Sequence, residues 1–162
     1  MYKIKKIGKR FLYKKTLRLS HYATGCLLLW AMPAYSQTLP APTTLPQGGE
    51  ALNNGATIGP PVVTDTSASL TINQTAQKAI INWNSFDVGS NANVVFNQPN
   101  AGAMVVNRVV GGQTSNIAGH ISANGIFILE NPSGAIFYNG AHVSAQSVLV
   151  TPSHIDDNTF LN

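Results

Sequence analysis

The chain has 162 residues, 44% of them hydrophobic and only 10% charged, with a formal net charge of +4. Eight of its ten basic residues fall between Lys3 and Arg18, which leaves Lys78 and Arg108 facing all six acids. Beyond that basic block the chain is acidic and charge-poor, so the nucleic-acid binding that a pI near 9.4 would invite is excluded.

Residues 1–36 read as an extended secretory signal peptide. A basic n-region leads into the apolar run Ala23–Met32, then Pro33 and the small-residue site Ala34-Tyr35-Ser36 before Gln37. The run is about half the roughly twenty residues a spanning helix needs. Cleavage between Ser36 and Gln37 removes Cys26, the one cysteine, and leaves an exported chain without disulfides. Such a chain suits a second export step through a pore that admits only unfolded polypeptide. Residues 37–61 hold Pro40, Pro42, Pro46, Pro60 and Pro61 among Thr, Gln and Gly, and read as an extended linker or lead-in.

From Val62 the texture changes to short β-branched and aromatic runs bounded by Asn, Gly, Ser or Pro. The predicted strands are Ala68–Ile72, Lys78–Trp83, Val94–Phe96, Ala103–Val110, Ile117–Ile121, Gly125–Leu129, Ala135–Tyr138 and Val148–Thr151. Only Gln74–Ile80 offers a helical turn. In the block Ile117–Val143, apolar runs alternate with Asn124-Gly125, Asn131-Pro132-Ser133-Gly134 and Asn139-Gly140. Sixteen asparagines add residues that accept turn dihedrals and form side-chain ladders where coils stack in register. A parallel β-helix uses both properties. An antiparallel sandwich remains open, because Asn-Gly is also a hairpin signal.

No catalytic, metal or cofactor pattern emerges. His120, His142 and His154 lack paired-ligand spacing, and the acids are too scattered to converge. Trp83 and Phe86 read as core anchors. Arg108 and Lys78 are each placed to pair with Asp87 or Glu130.

Leu70–Ala101 (LTINQTAQKAIINWNSFDVGSNANVVFNQPNA), Val105–Gly112 (VVNRVVGG), Ser115–Val143 (SNIAGHISANGIFILENPSGAIFYNGAHV) and Ser147–Leu161 (SVLVTPSHIDDNTFL) resemble, in order, the N-terminal secretion domain of two-partner-secretion exoproteins of the filamentous-haemagglutinin type. The resemblance implies an all-β fold, a right-handed parallel β-helix with an N-terminal cap, over residues 62–162. It implies no enzyme and no cofactor. It implies export from a Gram-negative cell: the general secretory translocon, then recognition in the periplasm by an outer-membrane β-barrel transporter with periplasmic docking domains. β-Helix folding is nucleated at the cell surface, and a passenger serves as an adhesin, haemagglutinin, haem-acquisition protein or contact-dependent toxin carrier, with host surface receptors as its partners. Asn107, Arg108, Gly111 and Gly112, with Asn131, Pro132, Ser133 and Gly134, are the candidate turn and recognition residues.

Two departures stand out. The family's Asn-Pro-Asn-Gly turn is Asn131-Pro132-Ser133-Gly134 here, and Glu130 occupies a position usually apolar. The stop at Asn162 reads as a truncation of the β-helix at its C-terminal end. The alternatives are a carbohydrate-active β-helix enzyme fragment, which needs Asp156 and Asp157 in a cluster of acids, and an antiparallel β-sandwich adhesin subunit with hairpins at Asn124-Gly125 and Asn139-Gly140.

Overall fold

Strands β4 (Ala68–Gln74) and β5 (Lys78–Trp83) set the pattern that the rest of the chain repeats. In a computed structural model, residues 38–162 are described; the expected leader and its Ser36–Gln37 cleavage point lie outside the described residues. Strand β4 lies parallel to β6 (Ala92–Asn97), which is followed in the same sheet by β9 (His120–Ala123) and β12 (His142–Ser144). Strand β5 likewise begins a parallel series with β7 (Met104–Val109), β10 (Ile126–Glu130) and β13 (Ser147–Thr151). A third face pairs β8 (Ser115–Ile117) with β11 (Ala135–Phe137), extended by a bridge between Val88 and Ile117. The chain therefore winds through four coils of a parallel β-helix. In-register parallel pairing rules out the sandwich, and Asn124-Gly125 and Asn139-Gly140 are corners between sheets, not hairpins.

Alternation along each strand sends one residue set inward, so equal positions of successive coils form columns. Leu70, Val94, Ile121 and Val143 make one; Ala79, Val105 and Phe127 another. The interior is joined by aromatic edge contacts, Trp83 to Phe86 at 5.5 Å and Phe96 to Phe127 at 5.4 Å between centroids. Trp83 and Phe86 are core residues, as their sequence context indicates. The expected ladders form too: Asn97 Nδ2 donates to Asn73 Oδ1 at 2.9 Å, and Gln98 Nε2 to Gln74 Oε1 at 3.0 Å.

Several expectations need correction. Strands β1 (Glu50–Ala51) and β2 (Ala56–Ile58) arise within residues 37–61 and pair antiparallel with β5 and β4. Leu45 enters the core. The prolines fall outside these strands, which leaves their backbone free to pair. With β3 (Val62–Val63), also antiparallel to β4, these strands cover the first coil's edges and so cap the stack. Gln74–Ile80 holds no helical turn; it ends β4 and begins β5. The run Ile117–Ile121 is two strands of different faces, separated at the corner Ala118-Gly119. A helix, α1 (Asp157–Leu161), closes the described residues, with Asp156 as its N-cap.

The segment carrying α1 folds back over the outward face of the β5–β7–β10 sheet. Ile155 and Phe160 cover the outward column Ile80, Val106 and Ile128. The same face carries Arg108, one of the residues singled out by sequence, and its register partner Glu130.

Candidate functional site

Strand β7 delivers Asn107 and Arg108 to opposite faces of one sheet, because consecutive strand residues point apart. Both lie in the strand and not in a turn, as was expected of Asn107–Gly112; only Val110-Gly111-Gly112 turns. Asn107 is fully buried. It accepts from Trp83 Nε1 at 3.1 Å and donates to the Ile128 carbonyl at 3.3 Å, so one amide ties three coils together.

Arg108 faces outward opposite its register partner Glu130, and its Nε donates to Glu130 Oε1 at 2.9 Å. Its Nη2 donates to Asp157 Oδ1 at 2.7 Å and to the Ile155 carbonyl at 2.8 Å. Glu130 also accepts from Ile155 N–H at 3.1 Å and lies 2.9 Å from His154 Nδ1. Burial opposes the Arg108 charge, yet the hydrogen bonds to Asp157 and Glu130 outweigh it and hold the guanidinium above its ordinary value. Of the pairings considered, Arg108 with Glu130 forms. Lys78 instead sits over the Phe160 ring, 5.9 Å from its centroid. Asp87 accepts from Asn116 N–H at 2.7 Å.

The two turns stack. Asn131 is buried, and its Nδ2 donates to the Gln113 carbonyl at 3.0 Å and to Ser115 Oγ at 2.9 Å. Its Oδ1 accepts from Ser133 N–H at 2.9 Å, while Ser133 Oγ donates to the Gly112 carbonyl at 2.9 Å. The turn bond thus comes from the Ser133 backbone, and the serine hydroxyl adds one to the coil beneath. Gly112 and Gly134 have φ of +76° and +82°, a region other residues enter at a cost. Gly111 is needed for a different reason: a Cβ there would lie 2.0 Å from the Asn84 carbonyl oxygen.

These turns border a groove of about 310 Å³. Arg108, Gly112, Pro132 and Ser133 line it together with Glu130 and His154. Asn107, Asn131, Gly111 and Gly134 are not among the lining residues. Sequence reasoning missed that His154 and Asp157 belong here, since only the fold-back of the last segment brings them over Arg108. Asp156 is spent on the helix cap, and among the described residues no three His, Cys, Asp or Glu side chains converge on a metal site.

Residues 44–162 match the family described as the TPS secretion domain. The chain belongs to that family. Two heme/hemopexin-binding proteins of Haemophilus influenzae are similar to this TPS domain: one is 42% identical over 91 residues, covering 56% of this chain and 10% of that protein. The other, from strain KW20 Rd, is 36% identical over 112 residues, covering 69% and 12%. The chain thus spans about a tenth of the length of these curated relatives. The crystal structure of the HMW1 secretion domain from H. influenzae superposes on this TPS domain with a TM-score of 0.62 at 27% identity, over 72% of this chain and 30% of that one. Family, relatives and fold agree on a secretion domain of exported proteins.

Proposed function

We propose that this domain targets a longer exoprotein to an outer-membrane β-barrel transporter, and that the groove between the Val110–Gly112 and Asn131–Gly134 turns is the surface recognised. The observation that carries the reading is the lock between the turns, Ser133 Oγ on the Gly112 carbonyl, which fixes two successive coils into one exposed feature. Pro132 and Ser133 stand at its rim, exposed. In this reading the chain leaves the inner membrane through the general secretory translocon and meets the transporter's periplasmic docking domains with these two turns already stacked and the strands beyond them still extended. Backbone pairing with those domains needs little charge.

At the cell surface the capped first coil provides a starting edge and later coils add on the opposite side. Phe137, Val148 and Val150 continue inward columns and remain exposed there, a platform for a further coil of the same pattern. Adhesion, haemagglutination, heme acquisition or toxin delivery belongs in this reading to a joined passenger, and host receptors to that passenger.

The test is co-expression of the full chain with such a transporter, scoring secreted against periplasmic protein. Asn131→Ala and Gly134→Val are expected to reduce secretion. Pro132→Glu, an exposed change, is expected to do so without altering thermal stability. Normal secretion of all three sinks the reading.

A further inference from the structure

His120 in β9 and His142 in β12 are register partners on successive coils. Both side chains are exposed, while Ile121 and Val143 beside them turn inward. Their ring centroids stand 5.8 Å apart with planes inclined by 50°. The juxtaposition has a basis in sequence: His120-Ile121-Ser122-Ala123 and His142-Val143-Ser144-Ala145 repeat the same four-residue pattern one coil apart. The His142 N–H donates to the Gly119 carbonyl at 3.0 Å, so sheet backbone fixes the separation of the two imidazoles.

Imidazole nitrogen suits zinc, copper and nickel. With metal–nitrogen bonds of about 2.0–2.1 Å, two rings sharing one ion in adjacent positions have centres roughly 5 Å apart. A small side-chain rotation closes the difference. Asn93 continues the column one coil earlier and adds a neutral amide. Among the described residues no group of three His, Cys, Asp or Glu forms, so an ion held by this pair would complete its coordination with water. A nitrogen-only pair without carboxylates disfavours calcium and magnesium, which take oxygen ligands.

We propose that His120 and His142 form a two-histidine site for a divalent transition-metal ion, Zn²⁺, Cu²⁺ or Ni²⁺, which clamps the fourth coil onto the third. An ion held across the pair stabilises the stacked state over any state in which the coils separate. The site lies on a different sheet from the groove, so its test is independent of transporter recognition.

The experiment is titration of the full chain, prepared without a polyhistidine tag, with ZnCl₂, NiCl₂ or CuCl₂ by calorimetry and thermal melting. One ion is expected to bind and raise the melting midpoint. His120→Ala and His142→Ala should each weaken binding at least tenfold and abolish the thermal shift, with the fold intact by circular dichroism. His154→Ala should change neither. Binding retained by the double variant, an equal loss in His154→Ala, or no binding by the parent chain at millimolar ion overturns the proposal.

Discussion

Arg108 Nε stands 2.9 Å from Glu130 Oε1 on the coil above, and the two side chains are only 10% and 2% exposed. An ion pair on the outward face of a sheet is ordinarily solvated and contributes little. This one is shut in by the fold-back of the last segment: Ile155 supplies a carbonyl to Arg108 and an N–H to Glu130. Asp157 gives the guanidinium a second carboxylate. The charge cluster thereby positions the segment that covers the apolar column Ile80, Val106 and Ile128.

Removing one partner strands the other. Arg108→Met should leave Glu130 buried without its cation and destabilise the domain by about 3–5 kcal/mol. Combining it with Glu130→Leu should recover most of that loss, because a packed apolar pair has no charge to solvate. Urea denaturation of the two variants decides the matter. If the double variant is no more stable than Arg108→Met, the cluster is not held together by charge pairing.

At the stacked turns, the two side chains should differ in weight. Asn131→Ala removes two donors and one acceptor at a buried position and should cost about 2–3 kcal/mol. Ser133→Ala loses one exposed bond to the Gly112 carbonyl and should cost about 0.5–1 kcal/mol. Equal losses in chemical denaturation would contradict the greater weight of the buried Asn131 bonds over the exposed Ser133 bond.

The coils were legible in the sequence because Asn, Gly and Pro corners bracket β-branched runs, and Asn73 over Asn97 shows the ladder that asparagine content implied. What escaped depends on register. Sequence left open whether Asp87 or Glu130 meets Arg108, because that depends on which residues the coil lengths place level, and coil length varies, from Ala68 over Ala92 to His120 over His142. The same variation hid the His-Ile-Ser-Ala and His-Val-Ser-Ala repeat. The corner at Gly119 carries no Asn or Pro, so Ile117–Ile121 read as one strand. The cap strands are two or three residues long, and their antiparallel pairing is decided by the sheet edge they meet. The helix escaped because charge scarcity argued against exposed helices, although Asp156 three residues before Thr159 is a capping signal.

Glycines should separate into two classes. A Cβ at Gly119 would lie 2.0 Å from the Gly89 carbonyl oxygen and 2.5 Å from that of Ala92, so Gly119→Ala must push one coil's backbone off the next. A loss of about 1–3 kcal/mol or more is expected, as for other forced overpacking. Gly112 has open space around its Cβ position and only the left-handed dihedral to satisfy. Gly112→Ala should therefore cost roughly 1–2 kcal/mol, and Gly112→Asn less, since asparagine visits that region readily. Thermal melts that rank Gly112→Ala as the worse variant would refute the distinction.

The helix cap gives the domain an acid-sensitive contact whose sign is fixed by geometry. Asp156 Oδ1 accepts from Thr159 N–H and from Thr159 Oγ1, each at 2.8 Å. The backbone bond, then the hydroxyl bond, holds the Asp156 carboxyl below the ordinary aspartate value of 3.8 in the folded state. The unfolded chain consequently binds the proton more readily in the interval between the two values. Stability from this group is complete above the ordinary value and is lost as pH falls through the lowered folded value. Asp156→Asn keeps a neutral side-chain oxygen as acceptor, so the variant should behave like the parent with its Asp156 carboxyl protonated. The stability difference between parent and variant should therefore be largest near neutral pH and shrink toward zero in strong acid, measured as the gap between urea midpoints across pH. A gap that stays constant with pH would show that the Asp156 charge does not support the cap.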